Sequence, residues 1–364
     1  MQAALRLFLL SLVILTVGAS PVFSADPDAN PKRIDMLGKI ADHNYLDFKP
    51  VAKIELPRIL RHDGQWVFYS STTAALNSGD GWTDEYYLAH PDTVIYKADG
   101  ATIAPVSYEL VRADGTKPSF DASITSHLVW FAISGFLVLI LFGRLASKYT
   151  TSTRDGLVAR GTFMNLFEAL VIFVRDDIAK ANIGEEKYMK YTPYLLSAFF
   201  MILFMNLFGL MPWGVTSTAD VMITAVLALF TFSITQLAGS KEYWKHVFLM
   251  PGVPKLMLII ITPVEILGLF TKPFALTVRL FANMVSGKLL VYSIIGMIFL
   301  FAEMFGDWAG IGSAAIWVPF TLFIYAIKIF ASFLQAYIFT MFSALFIGLA
   351  AADHDHEHEH EHAH

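Results

Sequence analysis

The sequence predicts an all-α polytopic membrane protein, preceded by a small exported domain with probable β content. Three observations carry that prediction. The 364 residues are 55% hydrophobic and only 16% charged. Five apolar stretches reach or exceed the roughly 20 residues that a helix needs to cross a hydrocarbon core about 30 Å thick. Lys and Arg gather in alternate connections between those stretches, the asymmetry expected of a chain that crosses a bilayer repeatedly.

Residues 1–25 read as a cleaved signal peptide. Met1–Arg6 is a short basic region, Leu7–Val17 is apolar but too short to span, and Val22-Phe23-Ser24-Ala25 offers a cleavage site. An uncleaved anchor helix is the alternative, which Gly18 and Pro21 disfavour by interrupting the run. Residues 26–121 then form a periplasmic N-terminal domain. Its Asp-Gly pairs at 63–64, 80–81, 99–100 and 114–115 separate aromatic and β-branched runs, with strand candidates at Gln65–Tyr69, Thr93–Tyr96 and Val106–Leu110 and a helix over Asp35–Tyr45. No catalytic constellation stands out in this segment, so packing or partner contact is its expected role.

The membrane domain occupies residues 122–351. Its first span is expected at about 127–145, followed by the basic Arg144 and Lys148. A membrane-surface amphipathic helix at about 156–182 comes next. There Leu157, Phe163, Leu166, Phe167, Leu170, Val171 and Val174 recur at helical spacing while Arg160, Glu168 and Arg175 interrupt the apolar run. Spans at about 193–212 and 219–238 are joined by the short Trp213–Thr218 as a tight hairpin. The last two spans, at about 256–300 and 316–351, are longer than a perpendicular crossing requires, so they tilt or bend. Residues 352–364 form an acidic, His-rich tail.

Orientation follows from the basic residues. The segments after the first and third spans carry Lys and Arg, whereas 213–218 and 301–313 carry neither. Together with the signal peptide this places the N-terminal domain in the periplasm and the C-terminus in the cytoplasm, in a multi-pass protein of a bacterial inner membrane. The net charge of -5 comes partly from the tail and does not suggest a nucleic-acid partner. With no cysteine, disulfides, iron–sulfur clusters and thiolate metal sites are excluded. No cofactor or metal is implied; the histidines of the tail can bind divalent metals only weakly, and a solvated disordered end is the plainer reading.

The polar residues inside the apolar spans carry the functional signal. Arg279 lies in the middle of the fourth span, where a guanidinium stays charged and is costly to place, so such a residue marks an ion pathway. Glu265, Lys272, Arg279 and Ser286 are each seven apart and share one face, which Asn283 joins four residues beyond the arginine. Lys288 falls on the opposite face, roughly 14 Å further along. The last span carries Lys328 and Gln335, also seven apart, with Ser332 between them. If the two long helices pack antiparallel with Gln335 level with Arg279, Lys328 comes within roughly 3 Å of the height of Lys288. That pattern describes two partial aqueous routes with an arginine between them. Lys272 can instead snorkel to the interface, and Asn206 and the serines can serve helix packing alone.

The strings Arg279-Leu-Phe-Ala-Asn283-Met with Gly287, Pro263-Val-Glu265, Lys272-Pro273 and Leu334-Gln335-Ala-Tyr-Ile-Phe339 resemble subunit a of the F-type ATP synthase. Asn206-Leu-Phe-Gly-Leu-Met-Pro212 and Ala219-Asp220-Val221 resemble the hairpin of that family, and the likeness covers roughly Asp121 to Ala351. The resemblance implies a proton-translocating stator subunit, non-catalytic in itself, that works with c-ring subunits, peripheral-stalk b subunits and the remaining subunits within the bilayer. It implies that Arg279 faces the c-ring carboxylates with Gln335 beside it, that Glu265 lines the cytoplasmic half-channel, and that Asn283, Asn206 and Asp220 are polar groups near the ion path. Lys288 and Lys328 stand where many relatives have an acidic residue and a histidine, a departure that raises the possibility of a lysine relay.

The rival reading is a secondary transporter or channel that uses Arg279 to bind an anionic substrate, and a third is an assembly subunit that transports nothing. The first usually brings repeated halves, and the arginine-bearing segment has no second copy. No phosphate-binding glycine loop of the Walker type is present, so nucleotide chemistry belongs to other subunits. Protons are the default coupling ion; sodium stays open because the binding carboxylate is on the rotor.

Overall fold

The computed structural model describes residues 44–48, 52–62, 64–80, 82–84, 110–112, 118–151, 162–211, 214–248 and 255–351. The proposed signal peptide, residues 35–43 of the helix expected at Asp35–Tyr45, the strand candidate Thr93–Tyr96, residues 106–109 and the His-rich tail lie outside them, and Tyr45, expected to end that helix, instead opens a strand. The strands are β1 (Tyr45–Phe48), β2 (Ala52–Glu55), β3 (Arg58–His62), β4 (Gln65–Tyr69), β5 (Trp82–Asp84), β6 (Leu110–Arg112) and β7 (Phe120–Asp121), with helix α1 (Thr72–Leu76) between β4 and β5. Then come α2 (Ser126–Thr151), α3 (Thr162–Ile172), α4 (Tyr188–Gly209), α5 (Val221–Ala238), α6 (Lys241–Phe248), α7 (Lys255–Phe305) and α8 (Asp307–Ala351). The chain divides into two compact units, one of residues 1–125 with 292–317 and the other of 126–291 with 318–364.

In the first unit, β1 pairs with β2, β3 sits between β4 and β7, and β5 pairs with β6, all antiparallel. The expected strand Gln65–Tyr69 is β4, and the Asp-Gly signal before it is a turn in which Gly64 has φ 80. Leu60, Tyr69, Ala75 and Leu110 form a small apolar core. Beside it the buried Arg58 donates to Thr72 Oγ1 at 3.1 Å and pairs with Asp121 at 3.5 Å, which meets the demand that a buried charge be compensated. Ser71 caps α1 by accepting from the Ala74 amide at 2.9 Å.

The same unit holds the turn between the two longest helices, and here the sequence expectation needs correcting. A break was expected over 301–315, but α7 continues to Phe305 and α8 begins at Asp307. One residue reverses the chain. Gly306 has φ 90, a conformation that only glycine adopts without strain, and its amide closes the last turn on the Ala302 carbonyl at 2.9 Å. The polar stretch after it is helical because Gly310 has no side chain and lies against Ala302, so the two arms close immediately.

Among its described residues the second unit is helical apart from short connections. Five helices are long and apolar enough to cross a membrane: Ser126–Ser147, Tyr188–Gly209, Val221–Ala238, Met257–Phe305 and Asp307–Ala351. That agrees with the number expected, with shifts of a few residues at most boundaries. The second span starts five residues earlier because Pro193 fits inside its first turns, and the third starts after Asp220, whose side chain caps it. At about 1.5 Å per residue, α7 is roughly 75 Å long, far more than a perpendicular crossing.

The surface helix is shorter than expected and irregular. It is α3, continued by a π-helical stretch Phe173–Lys180 and a last turn Ala181–Ile183, while 156–161 lie outside the described residues. Its apolar side is buried in protein: Val174, Ile178 and Ala179 are inaccessible and belong to the core built around α4. Arg175–Asp176 and Lys180–Glu185 form ion pairs on its outer side, at 2.7 and 2.8 Å. The hydrogen bonds between these partners raise the basic pKa values and lower the acidic ones. The short amphipathic helix α6 was not anticipated.

The core of this unit is aromatic. Phe199 and Phe200 are fully buried on α4, and Phe200 meets Phe142, Phe167 and Phe204 with ring centroids 5.4 to 6.0 Å apart. Phe199 meets Phe333 of α8 edge-on at 5.8 Å. Helix association in lipid depends on close packing and on polar pairing rather than on hydrophobic burial, so this interlocked cluster holds α4 and α8 in fixed register.

Candidate functional site

Two of the polar groups spaced seven apart on α7 reach aromatic rings of α8. The Arg279 guanidinium lies over the Phe342 ring, 4.7 Å from its centroid, and the Lys272 ammonium lies over Phe346 at 5.3 Å. Both rings are on α8, one turn apart and stacked at 6.0 Å. A cation over an aromatic face gains about 0.5–2 kcal/mol, which orients the arginine without neutralising it.

Arg279 is nevertheless exposed on this chain, together with Ala275, Val278, Ala282 and Ser286 along the same edge. Large apolar side chains flank that edge, including Phe270 at 60% and Phe274 at 69% exposure. The arginine therefore sits in a row of small residues on an otherwise apolar face, which gives a partner close access to it. Lipid is a poor partner for a guanidinium.

The packing of α7 against α8 is antiparallel, as anticipated. Lys328 reaches across to donate to the Asn283 carbonyl at 3.5 Å, and its side chain fills the space above Gly287. A Cβ at position 287 would collide with the end of Lys328, so glycine is what allows this approach. With Lys328 against Gly287 and Phe342 against Arg279, the buried Gln335 falls at the level of the Arg279–Asn283 turn. Lys288 is adjacent to Gly287 in the chain, so the two lysines lie at similar depth, although Lys328 itself turns towards Asn283.

A second set of contacts joins Asn206 and Asp220 to the same region. Asn206 is inaccessible on α4; its amide nitrogen donates to the Ser332 carbonyl of α8 at 3.5 Å, and its oxygen accepts from Thr218 at 2.8 Å. Asp220 caps α5 by accepting from the Met222 amide at 2.7 Å, and its other oxygen stands 3.5 Å from Nδ1 of His127. The His127 ring beside it, helped by the Met222 amide, holds the Asp220 carboxyl below its ordinary range against the opposing effect of burial. His127, Ser217, Thr218 and Ser332 belong to this cluster, and sequence reasoning did not single out the first three. The only available signal was a histidine at the start of a span and a Thr-Ser-Thr run before Asp220.

Glu265 and Lys272 are half-buried at the other end of the α7 stripe. Lys272 borders a shallow, mainly apolar depression that Phe232, Leu269, Leu276 and Phe346 line together with Thr231 and Gln236; Glu265 does not line it. The Tyr243 hydroxyl donates to Gln236 at 3.4 Å, and burial, with a smaller contribution from Glu265, raises its pKa. The structure thus brings Arg279, Asn283, Gln335, Lys328 and Asn206 into one neighbourhood, with Asp220 linked to it through Thr218 and Glu265 at a separate end. Among the described residues no group of acidic residues and histidines is placed to hold a metal.

Five helices long and apolar enough to cross a membrane, one of them with an arginine on an exposed apolar face, define a class: a polytopic, all-α membrane protein. Residues 128–348 match the family described as ATP synthase A chain. The chain is 48% identical over 238 residues to the ATP synthase subunit a of Chlorobium phaeobacteroides, a match covering 64% of this chain and 66% of that one. It is 44% identical to the subunit a of Myxococcus xanthus, over 64% of this chain and 74% of that one, and 42% identical to that of Anaeromyxobacter dehalogenans, over 75% and 69%. The chain spans about two-thirds of the length of these relatives. It belongs to the ATP synthase A chain family, and so works as a membrane component of an ATP synthase.

Proposed function

We propose that Arg279 is the fixed stator cation of this proton-translocating subunit of a rotary F-type ATP synthase. The observation that carries the proposal is its exposure on an apolar face between small residues, with its guanidinium steadied over Phe342. A carboxylate on a c-ring subunit can face lipid when protonated but not when charged. Arg279 stabilises the charged form during its passage and, as a cation that stays charged, blocks direct leakage between the two routes. Gln335 lies beside that passage.

Two offset half-channels follow from the two polar clusters. The cluster of Asn206, Asp220, Asn283, Lys328 and, on the far face of α7, Lys288 serves the outer, periplasmic side. Glu265 serves the cytoplasmic side. The N-terminal domain lies in the periplasm after removal of residues 1–25, the C-terminus is cytoplasmic, and peripheral-stalk b subunits hold the stator against the turning ring.

The test is Arg279→Ala in the complete complex. It is expected to co-purify with the c-ring at wild-type yield while coupled ATP synthesis and ATP-driven pumping fall at least a hundredfold. Arg279→Lys should fail as well, because an ammonium offers a different donor geometry and can lose its proton at depth. Normal pumping by either variant would overturn the assignment.

A further inference from the structure

The end of α8 is closed by contacts from two other elements, one of which continues into α6. The Ala351 carbonyl accepts from the Lys187 ammonium at 2.8 Å, and the Ala350 carbonyl accepts from the Ser240 amide at 2.9 Å. A cation suits the carbonyl end of a helix, so Lys187 is matched to its position. Ser240 also caps α6, its hydroxyl accepting from the Tyr243 amide at 3.1 Å. Gly239 lets that helix fold back closely, because a Cβ there would meet Tyr243 and Trp244. At its other end the Phe248 carbonyl accepts from the Thr262 hydroxyl of α7 at 3.3 Å. Helix α6 is thus fixed to the end of α8 and the start of α7. It is joined to spans on both sides, to α5 through residues 239–240 and to α7 through 249–254, which holds it at the membrane boundary.

At about 100° per residue, the eight residues of α6 fall into two faces. Val247 and Tyr243 project to one side, where Val247 is buried and Tyr243 bonds Gln236. The opposite arc carries Trp244, Phe248, Lys241 and Lys245 in that order, within roughly 100°. All four are exposed. The Trp244 and Phe248 rings stack, 5.9 Å apart and 13° from parallel. Glu242 is half-buried outside the arc, and neither lysine makes an ion pair among the described residues.

Stacked rings beside two unpaired ammonium groups match the boundary of a bilayer, where rings sit at headgroup level and cations reach lipid phosphates. We infer that this face of α6 docks on anionic phospholipid, with Trp244 and Phe248 entering the boundary between headgroups and acyl chains while Lys241 and Lys245 pair with the phosphates. The acidic tail, which follows Ala351, would satisfy the lysines, but its single apolar residue, Ala363, offers nothing to the rings. A neutral bilayer would take the rings and leave the lysines unpaired. That the leaflet is the cytoplasmic one rests on the orientation proposed above. Because α6 is bonded to Ala350 and Thr262, lipid held there steadies the ends of the two helices that carry Arg279 and Gln335.

The experiment places the complete complex in bilayer discs of phosphatidylcholine, alone or with one-quarter phosphatidylglycerol, and follows hydrogen exchange of the α6 amides. An anionic surface strengthens the docking of each nearby lysine roughly fivefold, so exchange in α6 is expected to slow about tenfold when phosphatidylglycerol is present. High salt should remove most of the difference. The double variant Lys241→Gln, Lys245→Gln is expected to exchange alike in both lipids, and Trp244→Gln to exchange faster than wild type in both. Wild-type exchange that is the same in the two lipids would overturn the proposal, whether or not the variants assemble. Slow exchange in both lipids that is lost on deleting residues 353–364 would give the face to the tail and overturn it too. A disc offers the same lipid on both sides, so these results do not depend on the orientation. That reading fails separately, if a membrane-impermeant amine reagent outside right-side-out vesicles modifies Lys241 or Lys245.

Discussion

At the scale of single residues, the chain combines an exposed arginine with two lysines at one depth on the long helices. Arg279 is held by Phe342 and by small neighbours, so its function depends on charge and on access more than on packing. Lys328 differs: its end is wedged over Gly287 and bonded to the Asn283 carbonyl, at the depth of Lys288. As a proposal, the pair forms the inner end of the outer half-channel. Lys288→Met is expected to slow outward-side proton uptake several-fold with assembly preserved and an altered pH dependence, read by a pH-sensitive dye in vesicles. Unchanged translocation across pH in both the Lys288→Met and Lys328→Met complexes would leave that path to Asp220, Asn206 and bound water.

At the scale of elements, the joint between α2 and α5 is where structure and titration meet. Asp220 caps α5, faces His127, and its turn is pinned to α2 by Ser217 and to α4 by Thr218. The carboxyl has a lowered pKa in the folded chain, relative to an ordinary value of 3.8. Its contribution to stability is therefore fully present above that value and is lost as the pH falls through the lowered one. Acid-induced loosening of α2 from α5 is expected only below about pH 4. Asp220→Asn should remove this acid dependence while leaving neutral stability within roughly 1 kcal/mol, because an asparagine still caps. Hydrogen exchange of the first turn of α5 at pH 3 and pH 7 measures both effects; an acid dependence that survives in the variant would assign it to another group.

At the scale of the whole molecule, the length of α7 and α8 dominates. Joined through the single residue Gly306, they run antiparallel, and the register set by Phe342, Phe346 and Lys328 brings a glutamine near the arginine and a lysine near the asparagine. The His-rich tail from Asp353 onward has six histidines and, in Ala363, a single apolar residue, the composition of a solvated end. Deleting residues 353–364 is expected to leave coupled ATP synthesis within a factor of two of wild type. A truncated complex that assembles yet fails to translocate protons would give the tail a role in the path.

Much of this was legible in the chain because the signals are local. A span announces itself by about 20 apolar residues, an intramembrane arginine by its cost, and a stripe such as Glu265–Lys272–Arg279–Ser286 by a spacing close to the helical period. The matched seven-residue spacings of the last two helices carried no direction; antiparallel packing entered only as a condition, which the turn at Gly306 meets. The loop expected after residue 300 was misplaced because polar residues and glycines there resemble a turn, whereas one glycine at φ 90 is enough to reverse two apolar helices.

The sequence by itself therefore determined the five crossings, the family and the arginine at the centre of one long helix, since each depends on residues within a few turns of one another. Only the tertiary structure decided which polar groups share an environment. Ser217 meets His127 across 90 residues, and Asn206 meets Ser332 across 126. No periodicity spans such distances. These pairs exist because aromatic packing around Phe199 and Phe200 fixes the helices, and buried amides and hydroxyls then have to find partners wherever that packing leaves them.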